Sequence, residues 1–234
     1  MWIINKSDGR KRNGEAMDKL IEDFEKSLFT NIGELTYDYA ELGIDSIINN
    51  GMLKDIPIVR SLIGVLKIGK NIHDRNLLKQ SLNFIQEFNS GGINEEKLEK
   101  YRKEIEENPK KAEKEIGRVL LLLNIFIDKE KSIMLAKIFK TFVEEKINWN
   151  EFCEFSEIIN RLFIQDIQIL KEIKDKNIDI MNNREDEFRV ERLYSLGLIG
   201  LSFNPVTYND LKNGHINSGR NISPLGRKLC DIIL

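Results

Sequence analysis

The chain has 234 residues, 41% of them hydrophobic and 32% charged, with a formal net charge of −2. A chain of that length can bury a sizeable core, as one large domain or as one domain with a small appendage, and its balance is that of a soluble globular protein, not a disordered one. The near-zero charge gives no global reason to expect nucleic acid or an anionic membrane as the partner.

Four prolines and fifteen glycines are few, and Leu, Ile, Lys and Glu are frequent, which favours helices. The two cysteines, Cys153 and Cys230, sit far apart in helical contexts, so reduced, packed thiols are expected rather than a disulfide. Residues 1–17 hold no apolar signal core, which makes a cytoplasmic protein the expectation. Residues 1–14, with Lys6, Arg10, Lys11 and Arg12, read as a flexible basic leader.

From Glu15 the pattern turns helical. Met17, Leu20, Ile21, Phe24 and Leu28 recur at steps of three and four, and the period resumes from Ile32 to Ile47 before the stop at Asn49, Asn50 and Gly51. Gly33 and Gly43 are places where this first helix can kink or break.

Residues 56–70, IPIVRSLIGVLKIGK, form the most apolar uninterrupted stretch of the first third. Pro57 suits a first helical turn, and a helix from there could run to about Phe88, before Asn89, Ser90, Gly91 and Gly92. The apolar part is short of the roughly 20 residues that cross a bilayer, and Arg60 interrupts it. Three readings stay open: a buried core helix, a membrane-surface or inducibly inserting segment, and a partner-binding groove. On the latter two, Arg60, Leu62, Leu66, Lys67 and Lys70 are the contact candidates, the cations able to snorkel toward headgroups.

Residues 94–116 carry eight glutamates against seven lysines and arginines, the composition of a solvated, salt-bridged helix punctuated by Asn108 and Pro109. A new helix from Ala112 enters GRVLLLLNIFI (117–127), which should sit at the centre of a bundle. Asp128 to Lys131 reads as a turn, and Ile133 to Val143 as one helical face. A second turn at Asn148, Trp149 and Asn150 precedes a helical period from Phe152 to Leu170. Phe139, Phe142, Trp149, Phe152, Phe155 and Phe163 read as core filling.

After about Lys176 the character changes. A short helix from Glu185 to Leu196 ends at Gly197 as its C′ residue. A strand follows over 198–203, then a polar loop and a second strand from His215 to Ile222. Ser223 and Pro224 supply the cap and first turn of a last helix. Helix, strand, loop, strand, helix is the layout of a winged-helix-like module with a long wing. The expectation is therefore a mainly α protein: a leader (1–14), a multi-helix bundle (15–176) and a winged-helix-like α+β module (177–234).

Chemistry is sparse. His73 and His215 lie on different elements with no metal-ligand spacing around them. The glycines and lysines of 64–70 lie inside an apolar helix and not after a strand, so they make no phosphate loop. Ser61, Ser156 and Ser195 have no nucleophile-elbow surroundings. An enzyme, a cofactor and a small-molecule substrate are not expected.

ERLYSLGLIGL (191–201) followed by ISPLGRKLCDII (222–233) resembles the C-terminal signature of the bacterial Abi-alpha (abortive infection alpha) group. There a Leu-x-x-Leu-Gly-Leu-Ile helix-to-strand step precedes a Thr-Pro-Phe/Leu-Gly helix start. DKEKSIMLAKIFKTFVEEK (128–146) and EFCEFSEIINRLFIQDIQIL (151–170) are similar to that group's paired helices. The resemblance covers residues 128–234, with Ser223 where threonine is usual. It implies a role in bacterial defence against phage, with self-toxicity, and no catalytic residues to carry over.

Two functional expectations follow. In one, a helical defence protein acts through protein contacts, self-association or a membrane surface. In the other, the C-terminal module binds DNA through Arg192, Arg220, Arg227 and Lys228. Residues 189–234 carry six Lys/Arg against Glu191, Asp210 and Asp231, a modest basic excess. Winged-helix folds also serve as protein-contact modules, which is the favoured reading.

Overall fold

The computed structural model describes residues 6–29, 53–65, 72–176, 187–203 and 218–234. Among them are ten α-helices, one 3-10 turn and a two-stranded sheet. Contacts divide the chain into two compact units, residues 1–149 and 150–234.

The first unit contains α1 (Lys6–Phe29), the 3-10 turn (Leu53–Asp55), α2 (Pro57–Val65), α3 (Ile72–Phe88), α4 (Glu95–Glu107), α5 (Pro109–Ile125) and α6 (Lys129–Val143). The leader expected over 1–14 is replaced from Lys6 onward by the first turns of α1. Ile21, Phe24 and Leu28 fix the buried face of α1, while its first turns hold Ser7, Asp8, Gly9, Asn13 and Gly14, whose low helix propensity is what makes this stretch read as a leader. The expected periodicity over 30–52 and the continuity of one helix across 66–71 lie outside the described residues.

The apolar helix α2 has protein on its hydrophobic face. Ile56, Ile58, Val59 and Leu62 are fully buried, each burial contributing about 1.5–3 kcal/mol. Helix α1 also satisfies the polar start of α2: the Ile58 N–H donates to Ser27 Oγ at 2.9 Å, and the Ser61 hydroxyl donates to the Asp23 carboxylate. Among the described residues no helix is long and apolar enough to cross a membrane.

Aromatic rings from four helices meet in the centre. Phe84 lies 5.7 Å from Phe24 and 5.8 Å from Phe139, and Tyr101 meets Phe139 edge-on at 5.7 Å. Side chains of α3 hold the link between α5 and α6. Asn76 Nδ2 donates to the Phe126 carbonyl at 2.6 Å, Gln80 Nε2 to that of Ile127 at 2.8 Å, and Ser132 Oγ to Gln80 Oε1 at 2.6 Å. Two expectations change here. Helix α5 starts at Pro109, three residues early, because the Asn108 side chain caps it by accepting from the Lys111 N–H. Its leucine run is not central throughout: Val119, Leu120, Leu122 and Leu123 are buried, but Leu121 is 60% exposed and Ile125 55%. An eleven-residue apolar run circles the helix, and α5 packs on one side only.

The second unit contains α7 (Trp149–Arg161), α8 (Ile164–Lys176), α9 (Glu187–Ser195), β1 (Ile199–Phe203), β2 (Ser218–Ile222) and α10 (Pro224–Ile233). The strands pair antiparallel with Ile199 opposite Ile222 and Phe203 opposite Ser218. The expected boundary at 176/177 moves to 149/150, because α8 shares its core and polar ties with α9, β2 and α10. Lys174 Nζ meets Asp231 at 2.6 Å, and Lys228 pairs with Glu151 of α7. The single helical period expected over 152–170 breaks at Leu162 and Phe163.

Candidate functional site

The break between α7 and α8 is where the chemistry of the second unit gathers. Asp166, in the first turn of α8, is fully buried. Its carboxylate accepts the Phe163 N–H at 2.8 Å, an acidic side chain reaching back to the helix start as in a capping box. The same carboxylate takes Arg192 of α9 in a bidentate pair: Nε donates to one oxygen and Nη2 to the other, both at 2.7 Å. These bonds hold the guanidinium above its ordinary pKa and fix its plane.

Two aromatic rings lie close to that guanidinium. The Phe163 centroid lies 4.4 Å from Arg192 Cζ and the Phe188 centroid 5.7 Å, while Arg189 Cζ lies 5.1 Å from Phe188. Such contacts contribute about 0.5–2 kcal/mol each. Phe163 and Phe188 are each 57% exposed, and Tyr194 is also exposed. Phe163 therefore does not fill the core. The result is an aromatic and guanidinium face spanning two helices, rigidly backed by one buried charge. It offers stacking and apolar docking.

Among the described residues, two of the nucleic-acid candidates already have acidic partners. Arg192 is committed to Asp166 and Lys228 to Glu151. Arg227 is exposed on α10, and the side chain of Arg220 lies outside the described residues. Glu187 and Glu191 share the short helix α9 with Arg192 and are exposed. Of the contact candidates in 56–70, Leu62 is core, so it offers no surface in this state. Arg60 is exposed and its Nη2 reaches the Asp55 carbonyl at 3.4 Å. Leu66, Lys67 and Lys70 lie outside the described residues, as does His215. His73 is exposed, and no His, Cys, Asp and Glu grouping among the described residues could hold a metal ion. Cys153 and Cys230 are unbridged, and burial pushes the Cys230 thiol up to about 11.

The two C-terminal signature stretches meet in space. Gly197 (φ 72°) is the left-handed residue ending α9, with the Leu198 N–H bonded to the Leu193 carbonyl at 3.0 Å. The Ser223 N–H donates to the Leu198 carbonyl at 3.0 Å and its hydroxyl to the Gly197 carbonyl at 2.6 Å. The same hydroxyl accepts the Gly226 N–H at 2.9 Å and so caps α10. At Gly226 a Cβ would stand 2.0 Å from the Leu198 oxygen. The Leu-Gly-Leu-Ile and Ser-Pro-Leu-Gly motifs are thus two halves of one structural joint.

Sequence reasoning missed Asp166, Phe163 and Phe188. The available signal was an acidic residue three positions after a ring in an otherwise continuous apolar period. Comparisons with protein-family models, with curated proteins and with solved structures find no match for this chain.

Proposed function

We propose that this chain is a non-enzymatic interaction protein of the abortive-infection type, acting in bacterial defence against phage. Its C-terminal unit works in this reading as a winged-helix-like module that binds a partner protein. One observation carries it: two rings, each 57% exposed, lie 4.4 and 5.7 Å from the Cζ of an arginine locked by a fully buried carboxylate. Aromatic residues and Arg are the side chains enriched where protein interfaces concentrate their energy, and preorganised ones lose little entropy on binding.

Two further features favour a protein over DNA or lipid. Helix α9, which directly precedes the strands, carries Glu187 and Glu191, both exposed, and its Arg192 is already neutralised, a poor face for phosphates. Helix α2 spends its apolar face on α1, so a membrane would have to compete with the core. The resemblance of 191–201 and 222–233 to the Abi-alpha signature supplies the biological setting.

The test is phage plating on bacteria expressing the wild type or Phe163→Ala/Phe188→Ala. The wild type should lower plaque numbers and the variant, folded by circular dichroism, should not. Equal protection by both, or none by either, overturns the reading. Salt-sensitive duplex binding that Arg227→Ala/Lys228→Ala weakens would move the assignment to DNA.

A further inference from the structure

The leucine run that leaves α5 covered on one side only leads into an exposed aliphatic patch at one end of the first unit. Leu121 and Ile125 lie four residues apart on one stripe of α5, 60% and 55% exposed. Ile127, in the link to α6, and Ile72, the first residue of α3, are each 84% exposed. Hydrogen bonds bring these last two together. Asn76, one turn after Ile72 on the same helical face, donates to the Phe126 carbonyl, and Gln80 donates to that of Ile127. Phe126 and Gln80 are themselves buried, so the aliphatic side chains are held outward on anchored backbone.

We propose that this patch is the surface through which two copies of the chain pair about a two-fold axis. It belongs to the first unit, and the partner-binding face proposed above to the second. Four aliphatic side chains this exposed present on the order of 300 Å² of apolar surface. That is enough for the centre of an interface that takes about 800 Å² from each copy, and homodimer contacts are the most apolar at their centres. The rim supplies the match. Asp74 and Arg75 stand next to Ile72, and Asp128 and Lys129 next to Ile127, an acid and a base side by side in both places. A two-fold axis sets the patch against itself, so the acid of each pair can meet a base of the other copy; a rim of one sign would repel its own image. The same carboxylates set this end against an anionic lipid surface. Side chains on anchored backbone lose little freedom when the copies meet.

The experiment is sedimentation equilibrium of the full chain from low to high micromolar concentration. The wild-type mass should rise from the 27.3 kDa of one chain toward twice that value. Ile72→Glu/Ile127→Glu should weaken pairing roughly tenfold or more, because each copy would bring unpaired carboxylates to the centre of the contact. Both positions are 84% exposed in the single chain, so this variant should fold as the wild type does, which circular dichroism checks. Leu121→Lys, on the α5 stripe, should act in the same direction. Phe163→Ala/Phe188→Ala should pair as the wild type does. A single-chain mass at every concentration, or unchanged pairing in both Ile72→Glu/Ile127→Glu and Leu121→Lys, overturns the proposal. Pairing lost in Phe163→Ala/Phe188→Ala and kept in Ile72→Glu/Ile127→Glu overturns it too, and would place self-association on the aromatic face. So does a wild type that stays single yet floats with anionic liposomes unless Ile72 and Ile127 are replaced, which would make the patch a lipid contact.

Discussion

Asp166 and Gly226 each carry more of the second unit than their size suggests, and both can be tested by single substitutions. Asp166→Ala leaves the Arg192 guanidinium without its carboxylate and the Phe163 N–H without an acceptor. Removing one partner of such a pair costs about 3–5 kcal/mol, whereas replacing both by apolar groups of similar volume is often neutral. Urea denaturation should therefore show Asp166→Ala strongly destabilised and Asp166→Leu/Arg192→Met recovering most of the loss. A double variant no better than the single would mean that the pair is worth more than packing. At Gly226 the constraint is steric. A methyl group there meets the Leu198 oxygen at 2.0 Å and the Ile222 side chain at 3.1 Å, and the first neighbour is backbone. Gly226→Ala is expected to cost about 3 kcal/mol or more, above the usual range for one substitution, with amide protection lost first around Leu198 and Ser223. Ser81 is the opposite case: its buried hydroxyl has no hydrogen-bond partner among the described residues, so Ser81→Ala should stabilise by about 1 kcal/mol.

Helix starts and stops were the elements most legible in the sequence, because capping is local chemistry. Ser223 with Pro224, Gly197 and the Asn108–Pro109 punctuation all act as their residue types dictate. The charged helix α4 likewise exposes its salt-bridged face and buries only Tyr101 and Ile105. What stayed hidden depends on a distant partner. The 162–163 break leaves the apolar period intact, and only the arrival of Arg192 makes a buried Asp166 tolerable. The exposed end of α5 was hidden for a related reason: a run of four leucines cannot say which of its sides meets a neighbour. Glu145 belongs to the same class. It ends α6 at φ 60°, a conformation that favours glycine, with its N–H on the Phe142 carbonyl at 2.8 Å. No sequence rule places Glu there. Its carboxylate holds Lys97 and Lys100 of α4, and those two hydrogen bonds lower its pKa to about 2. Glu145→Gly should relieve backbone strain of about 1 kcal/mol while losing exposed ion pairs of smaller worth, leaving a small net gain at neutral pH.

Across the whole protein, these ionisations set opposite pH limbs. Glu145 is more acidic in the folded chain than its ordinary value of 4.5, so its contribution is present above that value and is lost as pH falls toward about 2. Glu25 and Glu115 run the other way. Burial is the first cause raising both, so folding favours their protonated forms, and their contribution fades as pH rises through those raised values. Tyr101, whose hydroxyl donates to Glu115 at 2.9 Å, is raised well above its usual range and keeps that hydrogen bond intact through neutral pH. For these three carboxylates the expectation is greatest stability on the acidic side of neutrality, falling at lower pH as Glu145 is protonated and at higher pH as Glu25 and Glu115 ionise. Thermal melts from pH 3 to pH 8 measure it. Glu25→Gln should raise the melting temperature at pH 7.5 by a few degrees at most and leave pH 4 nearly unchanged, flattening the upper limb. Glu145→Gln should flatten the lower limb alone. A Glu25→Gln profile parallel to wild type at every pH would mean that Glu25 ionises without cost in the fold.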